Sequence, residues 1–272
     1  MGDISSARSA HRNSDQTLFP NRNATMVLVM KLHSRWIIAL FALAGAIAML
    51  PTATRADMSL GQSAFEQGDY EGAFKAWLAL AEKGQSEAQL NFGFLYRAGA
   101  GVSKDAAAAF MWFEKAALQG MPEAQVAVGG SYRQGIGVDK NDTQAERRLR
   151  KAAVQGHADG QVDLGLLYLQ GRGVDVNLAT AAEWFTKAAT QDDSNGQLHL
   201  GMLHAQGLEG SPDFVEALKW FAILSRKGDD HAQQARQFGS VIIERMAPDQ
   251  IATAQRRAKE WRRALTKSGN DG

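Results

Sequence analysis

The apolar positions of this chain follow a helical rhythm, and the rhythm repeats. Ala109, Trp112, Phe113, Ala116 and Ala117 recur at i, i+3, i+4, i+7 and i+8, the stripe of a helix with one buried face. Just upstream, Phe92, Gly93 and Tyr96 mark a second helix at the same period. Gly99 and Gly101 fall between the two and Gly120 follows the second. Glycine tolerates the positive φ that ends a helix, so the block reads as helix, glycine loop, helix.

This block returns every 36 residues. Gly84, Gly120, Gly156 and Gly228 share one column, with Asp192 in the remaining slot. Four units follow without a gap, at 85–120, 121–156, 157–192 and 193–228. Gln89, Gln125, Gln161 and Gln197 align, as do Gly93, Gly129, Gly165 and Gly201. Tyr96, Tyr132 and Tyr168 form a column broken by His204, and Trp112, Trp184 and Trp220 form one broken by Arg148. A glycine inside a helix costs about 1 kcal/mol relative to alanine. Its return in all four units predicts a neighbouring helix that approaches too closely for a side chain.

The segments GFLYRAGAGVSKDAAAAFMWFEKAALQG and GLLYLQGRGVDVNLATAAEWFTKAATQD resemble the Sel1-like repeat, a relative of the tetratricopeptide repeat. The resemblance covers 85–228 and extends more weakly over 60–84. It implies an all-α fold, an α/α superhelical solenoid whose concave surface binds proteins or peptides.

The two ends depart from the period. Trp36 to Leu50 is an uncharged apolar run, preceded by Lys31, His33 and Arg35 and followed by Thr54, Arg55 and Ala56. A basic start, about 15 apolar residues and small residues before the junction are the parts of a secretory signal. The run is short for a membrane span, which needs about 20 residues. Residues 1–56 therefore read as an extension and a signal cleaved between Ala56 and Asp57, with nothing before Asp57 entering the fold. Residues 1–25 are polar and irregular, so translation is expected to begin at Met26 or Met30. Residues 57–84 read as a half-matched repeat and 229–272 as capping helices with a tail. Pro248 and Asp249 suit the first turn of the last helix, and Gln255, Arg256, Arg257, Lys259, Arg262 and Arg263 give it a polar outer face.

Charge narrows the partner. The whole chain has 30 basic and 29 acidic residues, and the first 56 hold six and two of these. A product from Asp57 keeps 24 and 27, a net charge of −3. That balance argues against nucleic acid, whose phosphates need a basic surface. The chain has no cysteine, which excludes disulfides, a thiol nucleophile and cysteine-ligated zinc. His199 and His204 lie five apart, which does not put two ligands on one helical face, and His204 reads as a packed residue in the tyrosine column. No serine has a lysine three residues later, and no phosphate loop, HExxH or GxSxG is present. No cofactor, metal or catalytic residue is expected.

A variable surface remains. Leu90, Val126, Val162 and Leu198 are uniform and read as core. The columns Phe94, Gly130, Leu166, Met202 and Arg97, Arg133, Leu169, Ala205 change from unit to unit. From them Phe94, Arg97, Arg133, Leu166 and Met202 are the expected partner-facing residues of the concave side. The basic cluster Arg147, Arg148, Arg150 and Lys151 reads chiefly as a solvated helix face. The leading function is an exported scaffold in the cell envelope for a protein or peptide, without stable membrane insertion after cleavage. It would regulate an envelope sensor or assembly complex. Two alternatives are a β-lactam or peptidoglycan hydrolase by family analogy, disfavoured by the missing S-x-x-K, and a partner of cell-wall glycan or exopolysaccharide. Oligomeric state is not legible.

Overall fold

The computed structural model describes residues 52–208 and 210–268, with side chains from 57 to 265 apart from position 209. The apolar run 36–50 and both candidate start methionines lie outside the described residues. Among the described residues there are twelve helices and no strand, in an α/α solenoid. α1 (Thr52–Glu66) packs on α2 (Tyr70–Glu82). Four pairs follow, α3 (Ser86–Ala98) with α4 (Ala106–Leu118), α5 (Pro122–Gln134) with α6 (Asp142–Val154), α7 (Ala158–Gln170) with α8 (Leu178–Thr190), and α9 (Ser194–Gln206) with α10 (Phe214–Leu224). α11 (Asp230–Ile243) and α12 (Pro248–Ser268) complete the order. The backbone of α1 begins five residues ahead of Asp57, so the expected junction lies within its first two turns.

Local chemistry sets the boundaries. Asp105, Asn141, Asn177 and Asp213 cap α4, α6, α8 and α10, their side-chain oxygens accepting from backbone N–H groups of the first turn at 2.9–3.0 Å. α3, α5 and α7 stop at Gly99, Gly135 and Gly171, with left-handed φ of 74°, 71° and 67°.

The helical glycine column has the cause its spacing predicts. A Cβ at Gly165 would stand 2.6 Å from the Phe185 ring, one at Gly129 2.6 Å from Leu149, and one at Gly201 2.6 Å from Phe221. Each first helix thus lies directly on the large buried side chain of its own second helix. A second set of glycines locks neighbouring units: Gly101, Gly137 and Gly173 press on the backbone carbonyls of Tyr70, Ala106 and Asp142, at the start of the preceding unit's second helix. Both layers leave no room for a side chain, which fixes pair geometry and stacking geometry separately.

The glutamine column ties units together. Gln89 and Gln161 donate through Nε2 to the carbonyls of Ala81 and Ala153 in the preceding unit, at 3.0 and 3.2 Å. Gln89, Gln125 and Gln161 accept from Gln119, Gln155 and Gln191 at 2.7, 2.9 and 2.8 Å. The junction of the third and fourth units departs from this scheme. Lys227 takes the place of the donating glutamine, and Asp192 that of the glycine, at φ 63°. The two pair at 2.8 Å, and the Asp192 carboxylate also accepts from Gln197 Nε2 at 2.9 Å. Two exceptions in the sequence therefore compensate each other in space.

The curvature has a clear sense. Backbones of successive first helices approach closely at α5 with α7, α7 with α9 and α9 with α11, whereas the second helices α4 and α6 meet through side chains, Glu114 with Arg148, and α10 packs on α12. First helices accordingly form the inner rung. At the C-terminal end α12 turns back along α10, with Trp261 edge-on to Trp220 at 5.0 Å and Ala258 buried beside Ala181 and Ile223. Arg257 pairs with Glu216 across this contact.

Candidate functional site

The inner face is built from four positions of each first helix, spaced i, i+4, i+7 and i+10, which the helical period brings to one side. In chain order they read Glu87, Asn91, Phe94, Arg97 on α3 and Glu123, Ala127, Gly130, Arg133 on α5. α7 has Asp159, Asp163, Leu166, Leu169, and α9 has Asn195, His199, Met202, Ala205. The frame columns repeat while these change, although Ala127, Asp163, Leu166, His199 and Ala205 among them are buried.

The structure divides the five residues expected to face a partner. Leu166 is only 2% exposed and packs with Val162, Phe185 and Leu203, so it is a core residue. Arg133 is also removed from the partner-facing set. Its Nη1 donates to Asp163 Oδ1 at 2.9 Å, with the two side chains 11% and 5% exposed, so it ties α5 to α7. Asp163 had gone unnoticed in the sequence. The signal was present, an acid within the apolar run QVDLGLL thirty residues after Arg133. Phe94 is half-buried, edge-on to Phe113 at 5.0 Å, and the Arg97 guanidinium lies 4.7 Å above its ring. Arg97 also reaches Phe113, at 5.4 Å, and burial holds its guanidinium below the ordinary range. Met202 is half-buried on α9. Leu90, Val126, Val162 and Leu198 are buried, as their uniformity predicts.

A row of acids crosses the first turns of the inner helices. Burial, and then the charge of Glu123, raise the Glu87 carboxyl. Burial pushes Asp159 from 3.8 up to about 6, with His157 opposing and Asp193, Asp163 and Glu123 reinforcing. Asp193 is raised mainly by burial, against the backbone N–H of Gly196. These helix starts favour negative charge, but the carboxylates crowd one another and lose water. His157 caps α7, accepting from Gly160 N at 3.4 Å, and approaches Glu123 at 3.9 Å.

The remaining candidates are structural. Arg148, in the tryptophan column, pairs with Glu114 of the preceding second helix. Arg150 donates to Tyr168 Oη at 2.6 Å and pairs with Glu146, while Arg147 and Lys151 are exposed. His199 stacks on Phe185 at 5.2 Å, and burial lowers the His204 imidazole. Among the described residues no group of three or more His, Asp or Glu is placed to hold a metal ion, and no helix is long and apolar enough to cross a membrane.

The Sel1 repeat profile matches residues 86–121, 122–157, 158–193 and 194–229. This chain belongs to the Sel1 repeat family. The matched units have the same 36-residue period, with the boundary one residue later than in the frame drawn from the glycines. A Sel1 repeat protein from Oxalobacter formigenes is similar in structure, with TM-score 0.61 and 29% identity over 74% of this chain and 83% of that one. A protective antigen of uropathogenic Escherichia coli with an SLR fold gives TM-score 0.64 and 32% identity, over 80% of this chain. This Sel1 repeat chain covers 46% of the antigen, less than half its length. A search of curated proteins finds no match. Sel1 repeat proteins are generally protein–protein interaction scaffolds.

Proposed function

We propose that this Sel1 repeat protein is an exported scaffold of the bacterial cell envelope that binds a protein or peptide on its inner helical face, and that it regulates a sensor or assembly complex there. One observation carries the binding reading: frame residues repeat in every unit, while Phe94, Gly130 and Met202, at one inner position, differ in size and stay partly exposed. A recognition surface is read through exposed side chains that vary on a constant frame. Export rests on the basic start, apolar run and small residues ahead of Asp57. Hydrolase chemistry finds no support, because no serine has a lysine three residues on to activate it.

Photo-crosslinking from Met202 in intact cells, followed by identification of captured proteins, tests the scaffold. A discrete envelope partner is expected, and no capture from any inner-face position overturns the reading. N-terminal sequencing of the periplasmic fraction is expected to begin at Asp57. A protein that stays in the cytosol overturns export without touching the binding reading.

A further inference from the structure

Two equivalent arginines on the inner face are satisfied differently. Arg133 on α5 meets a carboxylate thirty residues later, Asp163. Thirty residues after Arg97 stands Ala127, which brings no charge. Arg97 instead lies over the rings of Phe94 and Phe113, with no carboxylate paired to it among the described residues. In the next unit, at the position equivalent to Phe94, the inner face is open. A Cβ placed on Gly130 would find only Gln134 Nε2, at 3.8 Å, where the helical Gly129 next to it would strike Leu149. Gly130 also has an ordinary helical φ, so nothing in the backbone requires glycine there. The molecule thus holds a guanidinium with no paired carboxylate over the half-buried Phe94 ring, and the next unit has open space in the column of Phe94, at Gly130, and shows in Asp163 the group that pairs with such an arginine.

We propose that the notch bounded by Phe94, Arg97 and Gly130 is a subsite for an aspartate or glutamate side chain within an extended peptide, whose carboxylate pairs with Arg97 as Asp163 pairs with Arg133. The inference rests on the peptide-binding reading above and names the chemistry it selects. The rings cover the planar guanidinium and keep it partly dry, where a charge-assisted, two-pronged bond to a carboxylate is strong. Lysine or a neutral amide in the peptide leaves the arginine unpaired and is discriminated against. Specificity along the helix has a second source. Glu87 lies ten residues before Arg97, roughly 15 Å along the axis, and with Glu123 it repels a carboxylate from that end. The peptide is therefore held with its acid toward the C-terminal ends of α3 and α5.

Selection of a random displayed-peptide library on the full chain, with Arg97→Met and Gly130→Leu in parallel, tests this. Wild-type protein is expected to enrich internal acidic residues flanked by an apolar one. A synthetic copy of the best peptide is expected to lose about tenfold in affinity when its acid becomes the amide, and similarly on Arg97→Met. Gly130→Leu fills the notch and is expected to abolish binding while the melting temperature stays level or rises. Arg97→Met removes an unpaired charge and is expected to leave the melting temperature level too, so lost binding cannot be ascribed to unfolding. Peptides enriched without an acid, or bound equally by both variants, overturn the subsite and leave the scaffold standing. Acids enriched only at a free C-terminus also overturn it, and so does the absence of any enriched peptide. Crosslinking in cells remains the separate judge of the scaffold.

Discussion

At the scale of single residues, position within the stack outweighs residue type. Arg97 and Arg133 occupy equivalent places, yet one is a strut and the other is unpaired. Arg133→Ala would strand the Asp163 carboxylate in an apolar setting, and a loss of about 3 kcal/mol is expected, the usual lower end for breaking a buried pair. Replacing both partners, Arg133→Met with Asp163→Leu, is expected to recover most of it. Urea denaturation of the two single variants and the double measures both effects. If Arg133→Ala weakens peptide binding with stability intact, the strut assignment is wrong. Gly165 is constrained from the other side. A methyl group there meets the Phe185 ring at 2.6 Å, so Gly165→Ala is expected to destabilise by about 1–3 kcal/mol despite alanine's better helix propensity. The thermal midpoint reads this directly, and a rise would mean that the ring yields.

At the scale of elements, the acid row is a consequence of stacking. Each first helix starts with a carboxylate suited to its own dipole, and stacking brings these starts together. Asp159, held at about 6, takes up a proton in the folded state at a pH where the unfolded chain has lost it. Its contribution is thus fully present below about pH 4 and is lost as pH rises through 6. Asp159→Asn is expected to raise stability at pH 7.5 and change little at pH 4, as urea midpoints at the two pH values will show. An equal gain at both values would exclude titration as the cause. The junction of the third and fourth units offers a matched pair of substitutions. Lys227→Gln alone leaves Asp192 in a left-handed conformation without its cation, whereas Asp192→Gly with Lys227→Gln recreates the glycine and glutamine columns. The double variant is expected to be more stable than Lys227→Gln by thermal denaturation, and additive single effects would show that the two sites are uncoupled.

At the scale of the whole molecule, stability is shared between neighbours, because each unit meets only those beside it. The last unit lacks a successor, and α12 supplies the missing surface by lying along α10. Trp261→Ala is expected to speed hydrogen exchange in α8 and α10 while amides of α3 and α4 keep their protection. Uniform acceleration along the chain would instead indicate a single cooperative unit. The same one-dimensional order lets an inner-face residue change without disturbing the frame, which is how Phe94, Gly130 and Met202 come to differ in size at one column.

The division between sequence and tertiary structure follows from range. Period, helix pairs, caps and the uniform core columns depend on contacts within one or two units, and a 36-residue repeat displays those contacts four times. That is why the glycine column, the buried Leu90, Val126, Val162 and Leu198, and the solenoid class were legible from the chain alone. The roles of Arg133 and Leu166 were not legible. Whether an inner-face side chain points to solvent or is closed over depends on what its neighbours in space bring to it, as Asp163 meets Arg133 and as Phe185 and Leu203 enclose Leu166. Asp192 and Lys227 teach the same lesson, since each looks like a lapse in its own column and only their 2.8 Å separation explains both. Column variability in a repeat protein marks where the frame releases its hold, and the packing of the adjacent unit decides whether a partner or the protein itself occupies that place.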